Sequence, residues 1–309
     1  MTDSSDPRMR DVLGRDLASG AAPIVVLIGF PCDEGVSRSK GRTGASGGPA
    51  AIRQALGRLT PDPEAPDAFL RVARRTSDVG DISMTGDLER DQERLGERIA
   101  PLLQQGVMVI VLGGGHETAY GHFLGYVHAG LPVSIVNWDA HCDVREPMHD
   151  ASTSGTPFRQ ALEHPSGMAR RYAVAGLQPF SVAASHLAFA RAHGETVWRR
   201  DVTRATTLEL YQDPDTAIMA SFDLDAVDRA AAPGVSAPNT GGLPVELWFE
   251  AAYRAGAAPK IRSAEVVELN PEVDRDGQTA ALAALTVWYL LKGVSDRLVA
   301  GTRSQADAT

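Results

Sequence analysis

The chain alternates short, almost continuously apolar runs with longer amphipathic stretches, and few folds accommodate that alternation. The runs are Ile24 to Phe30, Val107 to Leu112, Val133 to Trp138, Tyr172 to Leu177, Thr196 to Arg199, Ala217 to Leu224 and Ile261 to Leu269. Runs of this length without a polar face read as strands covered on both sides, the condition of a parallel sheet. Between them, Leu88 to Gln105, Thr118 to Ala129, Ser181 to His193 and Pro244 to Arg254 read as helices. The predicted class is α/β, a three-layer α/β/α sandwich around a mainly parallel sheet. Its ligand site should lie beyond the carboxyl ends of the strands.

A length of 309 residues suits one large domain, with residues 1–22 read as an N-terminal extension and 300–309 as a flexible tail. An apolar share of 43% and a charged share of 22% argue against extensive disorder. The net charge of −9 disfavours nucleic acid and anionic membranes, both of which require basic patches, so the expected partner is a small molecule. The opening residues are acidic and polar, unlike a secretory leader. The apolar stretch Leu282 to Leu291 is too short for a bilayer and reads as a buried helix. A cytoplasmic location is therefore expected, and the two cysteines, Cys32 and Cys142, suit a reducing compartment.

Three polar clusters stand where apolar runs end. His116 follows Gly113-Gly114-Gly115; Asp139, His141 and Asp143 alternate in Asn137-Trp138-Asp139-Ala140-His141-Cys142-Asp143; Asp223 and Asp225 alternate in Ser221-Phe222-Asp223-Leu224-Asp225. Side chains two apart in an extended chain point the same way, so each cluster offers a convergent edge. The glycine run is not a phosphate loop, because His116-Glu117 stands where Lys-Ser/Thr would. Taken singly the clusters have plainer readings, a tight turn at His116 and a helix cap at Asp143, but a cap explains one acid and not three. Carboxylates crowded at the end of an apolar strand call for a cation.

Six ligands exceed what one ion uses, so two divalent cations sharing at least one carboxylate are predicted. Oxygen-rich donors with two imidazoles favour Mn²⁺, while Fe²⁺, Co²⁺ or Zn²⁺ fit the same donors. Four aspartates roughly neutralise two such ions and let a hydroxide sit between them at neutral pH, so the expected chemistry is hydrolysis. Alternation turns Cys142 to the opposite face, where it reads as packing, and Asp228 reads as a supporting or capping group.

Together and in this order, the three motifs resemble those of the ureohydrolases, the arginase and agmatinase family, over nearly the whole chain from about Ile24. The resemblance implies a sheet of about eight strands, a binuclear manganese cluster on the six positions named above, and a homo-oligomer, either trimer or hexamer. Glu268, in Val267-Glu268-Leu269-Asn270-Pro271, matches the family's substrate-binding glutamate and implies an amidinium-like substrate. Three positions depart from arginase: Arg145 replaces an asparagine, Phe158 a proton-shuttling histidine and Ala237 a threonine. With Gly29 to Gly35, Ser154 to Gln160 and Ala232 to Pro238, these departures are most similar to the formimidoylglutamase branch, which serves histidine degradation.

That branch implies cleavage of the C–N bond of N-formimidoyl-L-glutamate to L-glutamate and formamide by a metal-bridging hydroxide. Asp143 would carry the proton to the leaving amine, and Glu268 would pair with the amidine. The substrate has two carboxylates, which planar guanidinium groups bind through paired hydrogen bonds, so Arg145, Arg159 and Arg42 are substrate-binding candidates. Each could equally be a solvated arginine, the usual state of the residue. His149, in the same loop as Arg145, is a candidate for proton exchange. The nearest competing reading is another ureohydrolase that acts on arginine, agmatine or a guanidino acid and releases urea. A single-zinc deacetylase would leave ligands unexplained. A non-catalytic metal-dependent binding or regulatory protein would normally have lost some of them.

Overall fold

In the computed structural model the placement of residues 6–147, 151–213 and 215–306 is described, excepting the side chains of 302–306. Each predicted apolar run forms a strand, with its ends moved by a few residues: β1 (Val25–Phe30), β3 (Met108–Gly113), β4 (Val133–Trp138), β5 (Ala169–Leu177), β6 (Thr196–Trp198), β7 (Ala217–Asp223) and β8 (Ile261–Val267). One further strand, β2 (Thr76–Asp81), escapes the apolar pattern because only Thr76 is buried; it is an edge strand held to β1 by its backbone. All pairings are parallel, in the spatial order β2-β1-β3-β8-β7-β4-β5-β6.

The helices are α1 (Met9–Val12), α2 (Glu34–Arg38), α3 (Gly48–Leu56), α4 (Pro66–Ala73), α5 (Leu88–Gln104), α6 (Thr118–Ala129), α7 (Pro157–Leu162), α8 (Ala184–His193), α9 (Arg204–Glu209), α10 (Val245–Ala257) and α11 (Gln278–Ala306). Local signals set their ends. The Asp87 carboxylate caps α5 by accepting from Arg90 N at 3.0 Å, and Gly130 closes α6 in the left-handed conformation.

Alternation along the strands divides the core in two. Val26, Ile28, Val109 and Val111 pack against α5, α6, α7 and α8, while Val25, Leu27, Ile110 and Leu112 pack against α3, α4, α10 and α11. The central strands are therefore buried on both faces, which is why they carry no solvent-facing polar side. The segment Leu282 to Leu291 lies inside α11, which runs on through residue 300, where the sequence suggested a tail. Met9 and Val12 of α1 are buried, so part of the N-terminal extension is packed against the core. No described helix is long and apolar enough to cross a membrane.

Register decides where the site forms. Leu112, Val266, Phe222 and Trp138 lie in one row across β3, β8, β7 and β4. The residues just beyond that row are the ones singled out by sequence: His116, Glu268, Asp223 and Asp139. Four adjacent strands thus deliver their loops to one rim of the sheet.

Candidate metal centre

The glycine run after β3 brings backbone against backbone. A Cβ at Gly114 would stand 1.8 Å from Cys32 O, and Gly115 N donates to that carbonyl at 2.8 Å. This close approach seats His116 on the rim, buried, with its Nδ1 2.9 Å from Asp143 Oδ2, 2.9 Å from Asp223 Oδ2 and 3.5 Å from Asp139 Oδ2. His141 Nδ1 lies 3.3 Å from Asp139 Oδ1 and 3.2 Å from Asp225 Oδ2.

The six ligands so form two groups, His116/Asp139/Asp143/Asp223 and Asp139/His141/Asp225, with the donor atoms of each within 4.8 Å of one another. Asp139 belongs to both and turns one oxygen to each. His116 Nδ1 and Asp225 Oδ1 are buried without a hydrogen bond of proper geometry. Donor atoms converging on one point without hydrogen-bond partners fit a cation, and the residues present fit two.

The electrostatics agree. Burial pushes the Asp223 carboxyl well above its ordinary range, and repulsion from Asp225 and Asp139 adds to it. Burial lifts Asp225 to about 7 against the pull of His141, helped by the charges of Asp139 and Glu268. For Asp139, burial is outweighed by the His141 hydrogen bond, and its pKa is lowered. Burial would also lower the imidazoles, but Asp143 and Asp223 hold His116 well above its ordinary value, and Asp225 and Asp139 do the same for His141. Acids that retain protons beside imidazoles that retain protons mark a cluster with too much negative charge for its own side chains to balance.

Glu268 closes the site. Its Oε1 accepts from His116 N at 2.8 Å, its own N donates to Gly114 O at 2.8 Å, and burial with the charges of Asp223 and Glu117 holds its carboxyl well above the ordinary range. Asp143 (φ 46°) and Glu268 (φ 69°) both adopt left-handed backbone, a cost of about 1–3 kcal/mol each that clusters at functional sites. Both residues line an open cleft of about 170 Å³, together with Arg145, Ser39, Ser154 and Ser236.

A sequence model of the arginase family matches residues 24–292. The chain belongs to the arginase family. Within the family it is similar to the formimidoylglutamase of Geobacillus thermodenitrificans, 39% identical over 283 residues that make up 87% of this chain and 85% of that protein. It is also similar to the formimidoylglutamase of Nocardia farcinica, 40% identical over 279 residues and 86% of each chain. Among solved structures, Trypanosoma cruzi formiminoglutamase with Mn²⁺ superposes with a TM-score of 0.85 at 30% identity, covering 94% of this chain and 99% of that one. The eight-stranded parallel sheet with helices on both faces is the family's fold.

Of the three candidate arginines, one reaches the cleft. Arg145 is exposed on its wall and has no carboxylate partner among the described residues. Arg159 is spent elsewhere, on Glu146 at 3.1 Å, on Glu163 at 3.2 Å and over the Phe189 ring at 4.4 Å. Arg42 donates to Ser236 O at 3.0 Å and to Val235 O, tying together two loops of the cleft wall. Neither lines the cleft.

Phe158, at the position of arginase's shuttle histidine, packs edge-on against the His116 ring at 5.1 Å. Asp228 caps a turn by accepting from Ala230 N and Gly241 N, and Cys142 is buried in the core. His149 lies outside the described residues. Asn137 and Ser221 have roles that no motif assigns, although each precedes a ligand by two residues and so shares its face. Asn137 Nδ2 donates to Asp139 Oδ2 at 3.0 Å, and Ser221 Oγ meets His116 Nε2 at 2.8 Å.

Proposed function

We propose that this chain hydrolyses the C–N bond of N-formimidoyl-L-glutamate, yielding L-glutamate and formamide. One observation carries the reading: a complete double donor set shares its cleft with Glu268 and with an arginine that has no carboxylate partner among the described residues. The likeness to formimidoylglutamases over most of both lengths supports the substrate.

His116, Asp139, Asp143 and Asp223 would hold one Mn²⁺, and Asp139, His141 and Asp225 the other. When bound, such cations neutralise the acids and lower the pKa of coordinated water. Glu268 pairs with the amidinium, and Arg145 takes a substrate carboxylate through paired, charge-assisted hydrogen bonds. Water adds to the formimidoyl carbon while Asp143 accepts its proton. Asp143 then returns that proton to the α-amino nitrogen as the C–N bond breaks, so one water enters and formamide and glutamate leave. A single ureohydrolase domain, assembled as a homo-oligomeric trimer or hexamer in the cytoplasm, completes the reading on the strength of the family resemblance.

The test supplies Mn²⁺-loaded protein with N-formimidoylglutamate, arginine, agmatine and 4-guanidinobutyrate in separate reactions. Formamide and glutamate from the first, with no urea from the others, is the expected result. Urea from any guanidino compound, with formimidoylglutamate untouched, overturns it.

A further inference from the structure

On the far side of the His116 ring from the acids, a chain of polar groups runs into the core. His116 Nε2 lies 2.8 Å from Ser221 Oγ, which donates to Glu265 Oε1 at 2.7 Å. Glu265 Oε2 is 2.9 Å from His122 Nδ1, whose Nε2 is 2.6 Å from Ser263 Oγ, itself 2.6 Å from Tyr126 OH. All six residues are buried. A carboxylate in the middle of a strand between Ala264 and Val266 is costly to desolvate, and the fold could fill the place with an apolar side chain. Glu265 does not line the cleft.

Counting donors shows what it does. For a cation to take His116 Nδ1 that nitrogen must be bare, so the ring proton sits on Nε2 and is donated to Ser221 Oγ. The Ser221 hydrogen then goes to Glu265 Oε1. The other carboxylate oxygen accepts from His122 Nδ1, which leaves His122 Nε2 to accept from Ser263 and Ser263 to accept from Tyr126. Each of these donors has an acceptor, the Tyr126 hydroxyl also lying 3.4 Å from Ile218 O, and two lines of donors converge on Glu265. Histidine ligands acquire their tautomer, ring orientation and basicity from such backing groups.

We propose that Glu265 is a positioning residue for the His116 half of the metal centre, fixing that imidazole through Ser221 and itself held by His122. This rests on the two-cation reading above. His141, in the other half, has polar ring contacts through Nδ1 and no buried carboxylate behind its Nε2 among the described residues, so the effect should be confined to one site.

Mn²⁺ titrated into metal-free wild-type and Glu265→Gln protein, with free Mn²⁺ counted by electron paramagnetic resonance and folding checked by circular dichroism, separates the cases. The expected result is one site unchanged and the other weakened roughly ten- to hundredfold. Unchanged affinity at both sites of a folded variant overturns the inference. Equal loss at both, the signature of general loosening, overturns it too. Should Glu265→Gln not fold, His122→Gln takes its place, with selective weakening expected and unchanged affinities overturning the proposal. Wild-type protein that fails to bind two cations refutes the two-cation reading itself and takes this inference with it.

Discussion

Loading Mn²⁺ into the metal-free protein should release protons, and the number follows from the site. Both ligand imidazoles hold their protons above the ordinary histidine range because carboxylates flank each Nδ1. Cations need those same lone pairs, so binding the pair of ions expels at least two protons near neutral pH, to which the Asp223 carboxyl, itself held well above its ordinary range, adds its share. Below about 7, where the Asp225 carboxyl also becomes protonated, another is added. Each released proton makes the overall affinity rise tenfold per pH unit, so two give about a hundredfold, or roughly 2.7 kcal/mol, per unit.

Calorimetric titration in buffers of different ionisation enthalpy at about pH 7.5 reads the proton count directly. Fewer than one proton per pair of cations would refute the reasoning. Stability of the metal-free form runs the other way. With folded imidazole values raised, these ion pairs stabilise it fully below the unfolded value of about 6.5, and the contribution fades as pH rises through the folded values. The melting-temperature gap between loaded and metal-free protein should therefore widen with pH.

Arg145→Ala should raise KM by roughly ten- to a hundredfold, the loss of about 1.5–3 kcal/mol of charge-assisted hydrogen bonding, while kcat changes little; steady-state kinetics showing the wild-type KM would remove Arg145 from substrate binding. Asp143→Asn should abolish turnover, since it strips the proton carrier and a ligand of the His116 group together; product assays that find a normal rate would reassign the proton path. At the α10–α11 crossing, a Cβ on Gly256 would stand 2.2 Å from Leu290 O, so Gly256→Ala should destabilise by about 1–3 kcal/mol in thermal unfolding, and an unchanged melting temperature would mean the helices separate freely there.

Much of this was legible in the residues. The strands β1, β3, β4 and β7 announce themselves because burial on both faces leaves them no polar side, and α6 because helical spacing runs from Thr118 to a closing glycine. β2 was not legible: its side chains are mostly exposed and polar, and only backbone pairing to β1 makes it a strand. The reach of the arginines was equally hidden. Arg145, Arg159 and Arg42 are chemically identical, and the difference lies in Glu146, Glu163 and the Val235 and Ser236 carbonyls, which occupy two of them and leave the first without a carboxylate partner among the described residues. Glu265 carries a signal of its own, an acid set between Ala264 and Val266 in a strand run.

The sequence alone determined the donors and their local convergence. Asp139 and His141, or Asp223 and Asp225, share a face because alternation is a property of a few consecutive backbone dihedrals. The tertiary structure decided that β8 lies between β3 and β7, which sets Glu268 beside His116 and Glu265 behind it, and that Asp139 gives one oxygen to each imidazole. Strand order in a parallel sheet depends on crossovers and on which distant surfaces bury one another, and no local pattern of residues encodes that.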